Sequence, residues 1–167
     1  INNHNKKVLE STKQQATPAV ETRTCNCRTK ANCPLNNQCL TTNIIYKATI
    51  ESETDEKEYI GSTKTTFKLR FGNHKQSLTH EKKKHQTKLS EHFWHEKQTN
   101  NIEPKIKWSI LTRAVPYTPE RAYCGLCTEE KLQLLLNTGP KLLNSRNEIA
   151  SRCPHKRKFC LGACGNE

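Results

Sequence analysis

The chain has 167 residues, enough for one domain with small attachments, and its 28 Lys and Arg residues outnumber its 16 Asp and Glu residues. The net charge of +12 favours a polyanionic partner, with a basic protein that has no nucleic-acid role as the alternative. No apolar run approaches the roughly 20 residues of a membrane span, so we expect no membrane partner. Because the sequence contains no methionine, we expect it to belong to a longer polypeptide.

The nine cysteines fall into three groups, within residues 25–39, 124–127 and 153–164. A secreted disulfide framework would call for a signal peptide, and the polar N-terminal residues do not resemble one. Close pairs such as Cys124-x-x-Cys127 suit zinc better than a cross-link. The cysteine pattern therefore favours metal binding in a reducing compartment.

The first half of the chain predicts a tether, a cysteine-rich segment and a β-hairpin. Residues 1–24 are polar and are interpreted as a linker from an upstream domain, and residues 25–43 as a cysteine knuckle. Residues 44–50 and 58–62 are rich in β-branched and aromatic side chains and predict two adjacent antiparallel strands. Tyr46 and Tyr59 then lie on neighbouring strands.

The second half predicts helices around a third strand. Helices are expected over 65–78 and 88–97, with a charged loop at 80–84 between them, and a strand over 106–111. Thr128 is expected to cap a helix over 129–136 that Gly139-Pro140 stops. Together, the predicted strands and helices give an α+β fold with a three-stranded antiparallel sheet flanked by helices. Its main domain would cover 44–152, followed by a basic Cys/His segment over 153–167.

A spaced series of residues suits phosphodiester cleavage. Tyrosine can position or deprotonate water, arginine can hold a phosphate charge, and a lone carboxylate can bind one hard metal ion. Each member alone has a plainer interpretation as a core tyrosine or an exposed helix residue. Their order and spacing together carry the prediction; the series is Tyr46, Tyr59, Arg70, His74, His85, Glu130 and Asn144.

The series resembles the GIY-YIG nuclease family, and most of all the endonuclease domain of Penelope-like retroelements. The resemblance runs from about residue 25 to residue 159, and Ile44 stands where the founding motif has glycine. The matching segments are Cys25–Arg28, Cys33–Leu35, Ile45–Ala48, Tyr59–Thr63, Asn73-His74, Leu89-Ser90, Cys124–Cys127, Glu130-Lys131, Leu143–Arg146 and Cys153–His155.

The resemblance implies roles for the tyrosines and the cationic residues. Tyr46 would orient or deprotonate the attacking water with support from Tyr59, and nearby cations would be needed to lower the Tyr46 pKa. Arg70 would pair with the scissile phosphate. His74 would accept a proton from water or from Tyr46. His85 would contact phosphate or the leaving group, an interpretation that we weigh equally against a solvated loop histidine.

The resemblance also assigns the acid and the asparagine. Glu130, rather than its neighbour Glu129, would bind catalytic Mg²⁺, which takes few carboxylates and keeps many waters. Asn144 is included in the series, although anchoring of the local backbone suits it better than chemistry.

Two sets of residues are candidate structural zinc sites. The first set holds four thiols within fifteen residues, and the second joins a CxxC pair to a distant Cys-x-His pair. The sets are Cys25, Cys27, Cys33 and Cys39, and Cys124, Cys127, Cys153 and His155. Cys160 and Cys164 receive no assignment.

The function implied by the resemblance is metal-dependent nicking of double-stranded DNA. The 3′ hydroxyl that is released would prime reverse transcription in the nucleus, with element RNA held by the rest of the polyprotein. One alternative is a non-catalytic zinc module that binds nucleic acid. The other is a repair or restriction nuclease of the same family.

Overall fold

The central strand β1 (Ile44–Glu51) pairs antiparallel with β2 (Glu56–Thr63) on one side and with β3 (Lys105–Arg113) on the other. The computed structural model describes residues 23–52, 55–101, 103–118, 121 and 123–155. Residues 1–22 of the predicted linker (1–24) lie outside this part of the chain. The basic residues 156–167, with Cys160 and Cys164, lie outside it as well.

Three helices flank the sheet, which confirms the predicted α+β class. They are α1 (Phe67–Thr79), α2 (Lys88–Thr99) and α3 (Gly125–Leu136). The expected loop at 80–84 is instead a 3₁₀ turn over Glu81–Gln86. In the described residues, no helix has both the length and the apolar character that crossing a membrane needs.

The start of α3 differs from the sequence prediction. Cys124, not Thr128, is the N-cap residue, so the helix begins one turn earlier than expected. Leu126 and Cys127 in that first turn are buried against the sheet. Their burial offers a reason for helix to form upstream of the polar Thr128, because packing of an apolar face outweighs capping propensity.

Period-two alternation divides the sheet residues between two cores. On one face Tyr46, Tyr59 and Phe67 pack with Leu35 of the cysteine knuckle. On the other face Ile45 and Ile60 pack with apolar residues of α3 and with cysteines of its first turn. The candidate site residues thus approach the sheet from two sides.

The open edge of β2 is covered by the segment that follows α3. Glu58 N–H donates to the Lys141 carbonyl at 2.8 Å, and Leu143 N–H donates to the Glu58 carbonyl at 2.8 Å. Because exposed strand edges invite unwanted pairing, this cover protects β2 and fixes its position.

Candidate active site and metal centres

The Tyr46 hydroxyl joins two side chains of α1. It lies 2.7 Å from His74 Nε2, and Arg70 Nε donates a hydrogen bond to the Tyr46 oxygen at 2.9 Å. Arg70 and His74 are four residues apart, so one helix face carries both. The structure therefore brings together three of the predicted residues through one hydroxyl.

Chemistry sets the direction of one of these hydrogen bonds. A guanidinium only donates, so the Tyr46 oxygen accepts from Arg70, while the donor between Tyr46 and His74 Nε2 is set by the His74 tautomer. Burial, with the Arg70 charge adding to it, lowers the pKa of His74 to about 3. His74 is therefore neutral at pH 7 and able to accept at Nε2.

The pKa of Tyr46 is not lowered, although its action as a base would need that. Tyr46 is fully buried, and burial raises its pKa to about 12 although the Arg70 charge acts in the opposite direction. His74 adds no positive charge because it is neutral. Desolvation of a phenolate thus outweighs one neighbouring guanidinium, and Tyr46 keeps its proton.

Gly61 allows the Tyr46 ring to lie against β2. The two residues are direct cross-strand partners, and a Cβ on Gly61 would fall 2.5 Å from the Tyr46 hydroxyl oxygen. That distance is far below a van der Waals contact. The glycine of the Tyr-Ile-Gly motif therefore provides the space for the hydroxyl that Arg70 and His74 share.

Tyr59 lies on the same face as Tyr46, with its ring centroid 6.1 Å from that of His74. Burial raises its pKa. Burial alone would lower the pKa of Arg70, but the electrostatic and hydrogen-bond contributions of Tyr46 and Tyr59 raise it overall. The two tyrosines together keep the guanidinium charged and in place.

A polar cleft opens beside this cluster. Arg70 and His74 border it together with Gln86 and Thr87, and its volume is about 410 Å³. His85 is next to Gln86 in sequence, but its exposed imidazole pairs with Glu91 at 3.4 Å. The structure therefore places His85 with Glu91 rather than with Tyr46.

Glu130 approaches the cluster from α3, on the other side of the sheet. Burial raises the pKa of its carboxyl group; Ser62 and Arg70 act to lower that pKa, and the Glu148 charge acts to raise it. The Arg70 charge therefore reaches both Tyr46 and Glu130. Glu130 is half-buried, and the Glu148 carboxylate is close enough to raise its pKa.

Asn144 pairs with the backbone of Ile60, between Tyr59 and Gly61. Its Oδ1 accepts from Ile60 N–H at 2.7 Å, and its Nδ2 donates to the Ile60 carbonyl at 2.8 Å and to a Glu148 carboxylate oxygen at 2.8 Å. Both ends of the amide are occupied by these groups. Asn144 is thus a positioning residue for β2, as the backbone-anchor interpretation expects.

Glu148 belongs to this arrangement and was missed by the sequence analysis. Its other carboxylate oxygen accepts from Ser145 N–H at 3.0 Å, in a capping box that begins at Ser145. The spacing Ser145-x-x-Glu148 is the sequence signal of that motif and was available to find it.

The first cysteine set comes together as predicted, and we call it the knuckle cluster. The Sγ atoms of Cys25 and Cys33 are 3.6 Å apart, those of Cys27 and Cys39 are 3.6 Å apart, and those of Cys39 and Cys25 are 3.5 Å apart. Tetrahedral thiolates at about 2.3 Å from one ion would be separated by similar distances. The four sulfurs could hold one metal ion.

The second set also converges, and we call it the Cys/His cluster. Cys127 Sγ lies 3.4 Å from Cys153 Sγ and 3.1 Å from His155 Nδ1, and Cys124 Sγ lies 3.7 Å from that nitrogen. This arrangement could hold a metal ion as well. In the described residues, no disulfide links two cysteines of either cluster, so none competes with metal binding there.

The donor chemistry of both clusters fits structural Zn²⁺. Each cluster offers four soft or borderline ligands, which close a tetrahedral site. Burial raises the pKa of the Cys39 thiol to about 12 and also raises that of Cys127. At Cys33, burial is outweighed by backbone hydrogen bonds from Leu35 and Asn37, which lower the pKa to about 7. The thiols of Cys39 and Cys127 keep their protons without a cation, so zinc binding there would release protons and depend on pH.

Comparison of the chain with protein-family models, curated proteins and solved structures finds no match.

Proposed function

We propose that this chain is a metal-dependent DNA endonuclease domain of the GIY-YIG type. Following the sequence resemblance to Penelope-like retroelements, it nicks chromosomal DNA in the nucleus and leaves a 3′ hydroxyl that primes reverse transcription. Double-stranded DNA is the substrate, and element RNA is bound by other parts of the polyprotein.

One observation carries the proposal: the Tyr46 hydroxyl holds Arg70 at 2.9 Å and a neutral His74 at 2.7 Å beside a polar cleft. Arranging these groups costs stability, because a buried phenol and imidazole gain less than apolar residues of the same size. A module that only binds nucleic acid has no need of such an arrangement. A phosphodiesterase needs a fixed cation and a proton acceptor at one phosphate.

Arg70 is the phosphate-binding group in this mechanism. Its Nε is committed to Tyr46 and the guanidinium also bonds Tyr59, which leaves its remaining N–H groups for phosphate oxygens. A guanidinium fixed before the substrate arrives stabilises the charge that develops in the transition state without reorganising. The half-buried setting of Arg70 strengthens that interaction.

Tyr46 and His74 orient the reacting groups and accept a proton. With a Tyr46 pKa of about 12, the phenol acts as a protonated, orienting hydroxyl and not as a resident phenolate. Neutral His74 can take up a proton at Nε2, and a phosphate bound to Arg70 would raise its low pKa by adding negative charge. Water adds to phosphorus and its proton passes through the Tyr46 hydroxyl to His74 Nε2. The P–O3′ bond breaks, and the departing O3′ takes a proton from solvent water.

Glu130 is the proposed Mg²⁺ ligand, with Glu148 adding negative charge nearby. When bound, Mg²⁺ supplies charge neutralisation at the phosphate and makes water more acidic. The role of the chain is to hold Glu130 on α3, where Ser62 and Arg70 favour its ionised form against the effect of burial.

The test is nicking of supercoiled plasmid in the presence of Mg²⁺. Wild-type protein should convert the plasmid to open circles, and Glu130→Ala should abolish conversion while DNA affinity changes little. Glu129→Ala is the matched control, because it removes the neighbouring acid on the same helix, and it should act like wild type. Full nicking by Glu130→Ala would refute the assignment of Glu130.

A non-catalytic zinc module for nucleic acid is the second candidate, favoured by the two metal-binding clusters and the net charge of +12. It predicts DNA binding that Mg²⁺ and Glu130→Ala leave unchanged, and no nicking under any condition. The plasmid assay separates the two functions.

A further inference from the structure

A basic concavity lies on the knuckle, away from the Tyr46 cluster. Its volume is about 680 Å³, and its lining includes Arg23, Thr24, Asn26, Arg28, Lys30 and Asn37. All six side chains are exposed. We infer that this concavity binds the phosphate backbone of duplex DNA outside the scissile site, an inference that rests on the proposed function for its substrate.

The charge of the concavity is uncompensated within the described residues. Arg23, Arg28 and Lys30 form no ion pair there, whereas Lys47, Lys57, Lys88 and Lys107 elsewhere each have a carboxylate within 3 Å. Cations without protein partners are available to replace the counterions of phosphates. The concavity thus has the charge that a polyanion requires.

The lining chemistry selects the DNA backbone over unpaired bases. The residues that line the concavity are cationic, amide, hydroxyl and thiol side chains, and none of the described ones is aromatic. Binding of single strands depends on aromatic rings that stack on bases. Arginine, lysine, asparagine and threonine are instead the usual partners of phosphate oxygens.

The concavity is joined to the helix that carries Arg70. Lys68 N–H donates to the Cys39 carbonyl at 2.7 Å, Phe67 N–H donates to the Thr41 carbonyl at 3.0 Å, and Lys68 Nζ donates to Asn26 Oδ1 at 2.7 Å. Arg70 is three residues beyond Phe67, about 4.5 Å along the helix axis. A duplex held by the knuckle would therefore be positioned relative to Arg70.

The test is the salt dependence of duplex affinity for the full chain with Arg23→Gln, Arg28→Gln and Lys30→Gln combined. Loss of three phosphate contacts should reduce the slope of log K against log salt by about 2.7 and weaken binding at least roughly tenfold. A second variant with Arg23→Lys and Arg28→Lys keeps the charge and should bind within a few-fold of wild type.

The matched control removes the same charge from the opposite end of the sheet. Lys105→Gln, Lys107→Gln and Lys141→Gln change exposed lysines at or near the end where Glu51 pairs with Lys105, about 23 Å along β1 from Ile44. This variant should keep most of the salt slope. Equal slopes in the two triple variants, or a knuckle variant that matches wild type, would overturn the inference.

The plasmid assay separates this inference from the proposed function. If wild-type protein nicks plasmid but the two triple variants bind alike, the nuclease proposal stands and the knuckle inference fails. If no preparation nicks but only the knuckle variant loses salt slope, the concavity is a DNA-binding surface without a nuclease. A single-stranded oligonucleotide should bind the concavity more weakly than duplex, and the reverse order would also overturn the inference.

Discussion

The two clusters that could hold a metal lie at the N-termini of two different helices, and each helix carries one half of the candidate site. The knuckle cluster borders the start of α1, where Cys39 and Thr41 carbonyls accept the N–H groups of Lys68 and Phe67. The Cys/His cluster includes the N-cap of α3, Cys124. Helix starts leave N–H groups unpaired. Knuckle carbonyls accept from two such groups of α1, whereas the Cys124 side chain makes no cap hydrogen bond to α3.

The clusters differ in how much of the chain they join. The sulfur contacts of the knuckle cluster span at most fourteen residues, whereas Cys124 and His155 are thirty-one residues apart. Closing a longer loop costs more entropy, so the Cys/His cluster depends more on its metal. The knuckle cluster is closed locally and then contacts α1 across 42 residues, at Lys68 and Asn26, whereas the Cys/His cluster itself joins α3 to a distant segment.

Loss of a cluster should have the largest effect on stability. Cys27→Ser and Cys127→Ser should each reduce bound zinc from two ions per chain to one, because each removes one of four ligands. Zinc binding contributes about 10 kcal/mol or more to the folding of small zinc domains, so the thermal unfolding temperature should fall strongly. Cys127→Ser should show the larger shift, since its cluster joins distant segments.

The exposed neighbour Thr128 provides the control, and Thr128→Ala should keep both zinc ions and the wild-type transition. Equal shifts in the two cysteine variants would remove the distinction between local and long-range clusters. Wild-type protein that contains no zinc would contradict both sites.

Substitution of Arg70 tests the half of the candidate site that α1 carries. Arg70→Lys keeps the charge but loses the planar group that bonds Tyr46 and phosphate together, so turnover should fall about 10²- to 10³-fold. Single-turnover nicking measures the effect. Lys75→Ala removes an exposed cation of the same helix and should be nearly neutral. Full activity in Arg70→Lys would show that charge alone suffices.

Gly61 tests the contact between the strands and α1. Gly61→Ala would place a Cβ against the Tyr46 hydroxyl and should reduce the free energy of unfolding by about 1–3 kcal/mol. Gly72→Ala is the matched control, because its Cβ would meet nothing within 4 Å, and in a helix alanine is favoured over glycine. Chemical denaturation that ranks the two variants in the opposite order would refute the packing of Tyr46 over Gly61.

His74 should give the smallest effect, a pH dependence of stability. Its folded pKa of about 3 lies below the unfolded value of about 6.5, so the unfolded state binds more protons and stability falls as pH falls below 6.5. Between pH 7.5 and 5.5 the loss should be about 1.4 kcal/mol. His74→Gln should lose that part of the slope, and exposed His95→Gln should keep it. A slope unchanged in His74→Gln would mean that the folded pKa of His74 is close to its unfolded value.

The sequence predicted the strands and the ligand sets because both have local signals. Alternation placed Tyr46 and Tyr59 on adjacent strands, and cysteine spacing identified both clusters. Burial is not local, so the raised pKa of Tyr46 had no signal in the sequence. The early start of α3 escaped prediction for the same reason, since Leu126 and Cys127 are buried by contacts with distant residues.

The central claim is that Arg70 from one half and Glu130 from the other act on one phosphodiester. Single-turnover nicking with Mg²⁺ by wild type, Arg70→Ala, Glu130→Ala and the double variant tests it most directly. Residues that act as a unit are strongly non-additive, so the double variant should lose little more than the more damaged single variant. Losses that multiply, or wild-type protein that does not nick, would contradict the claim.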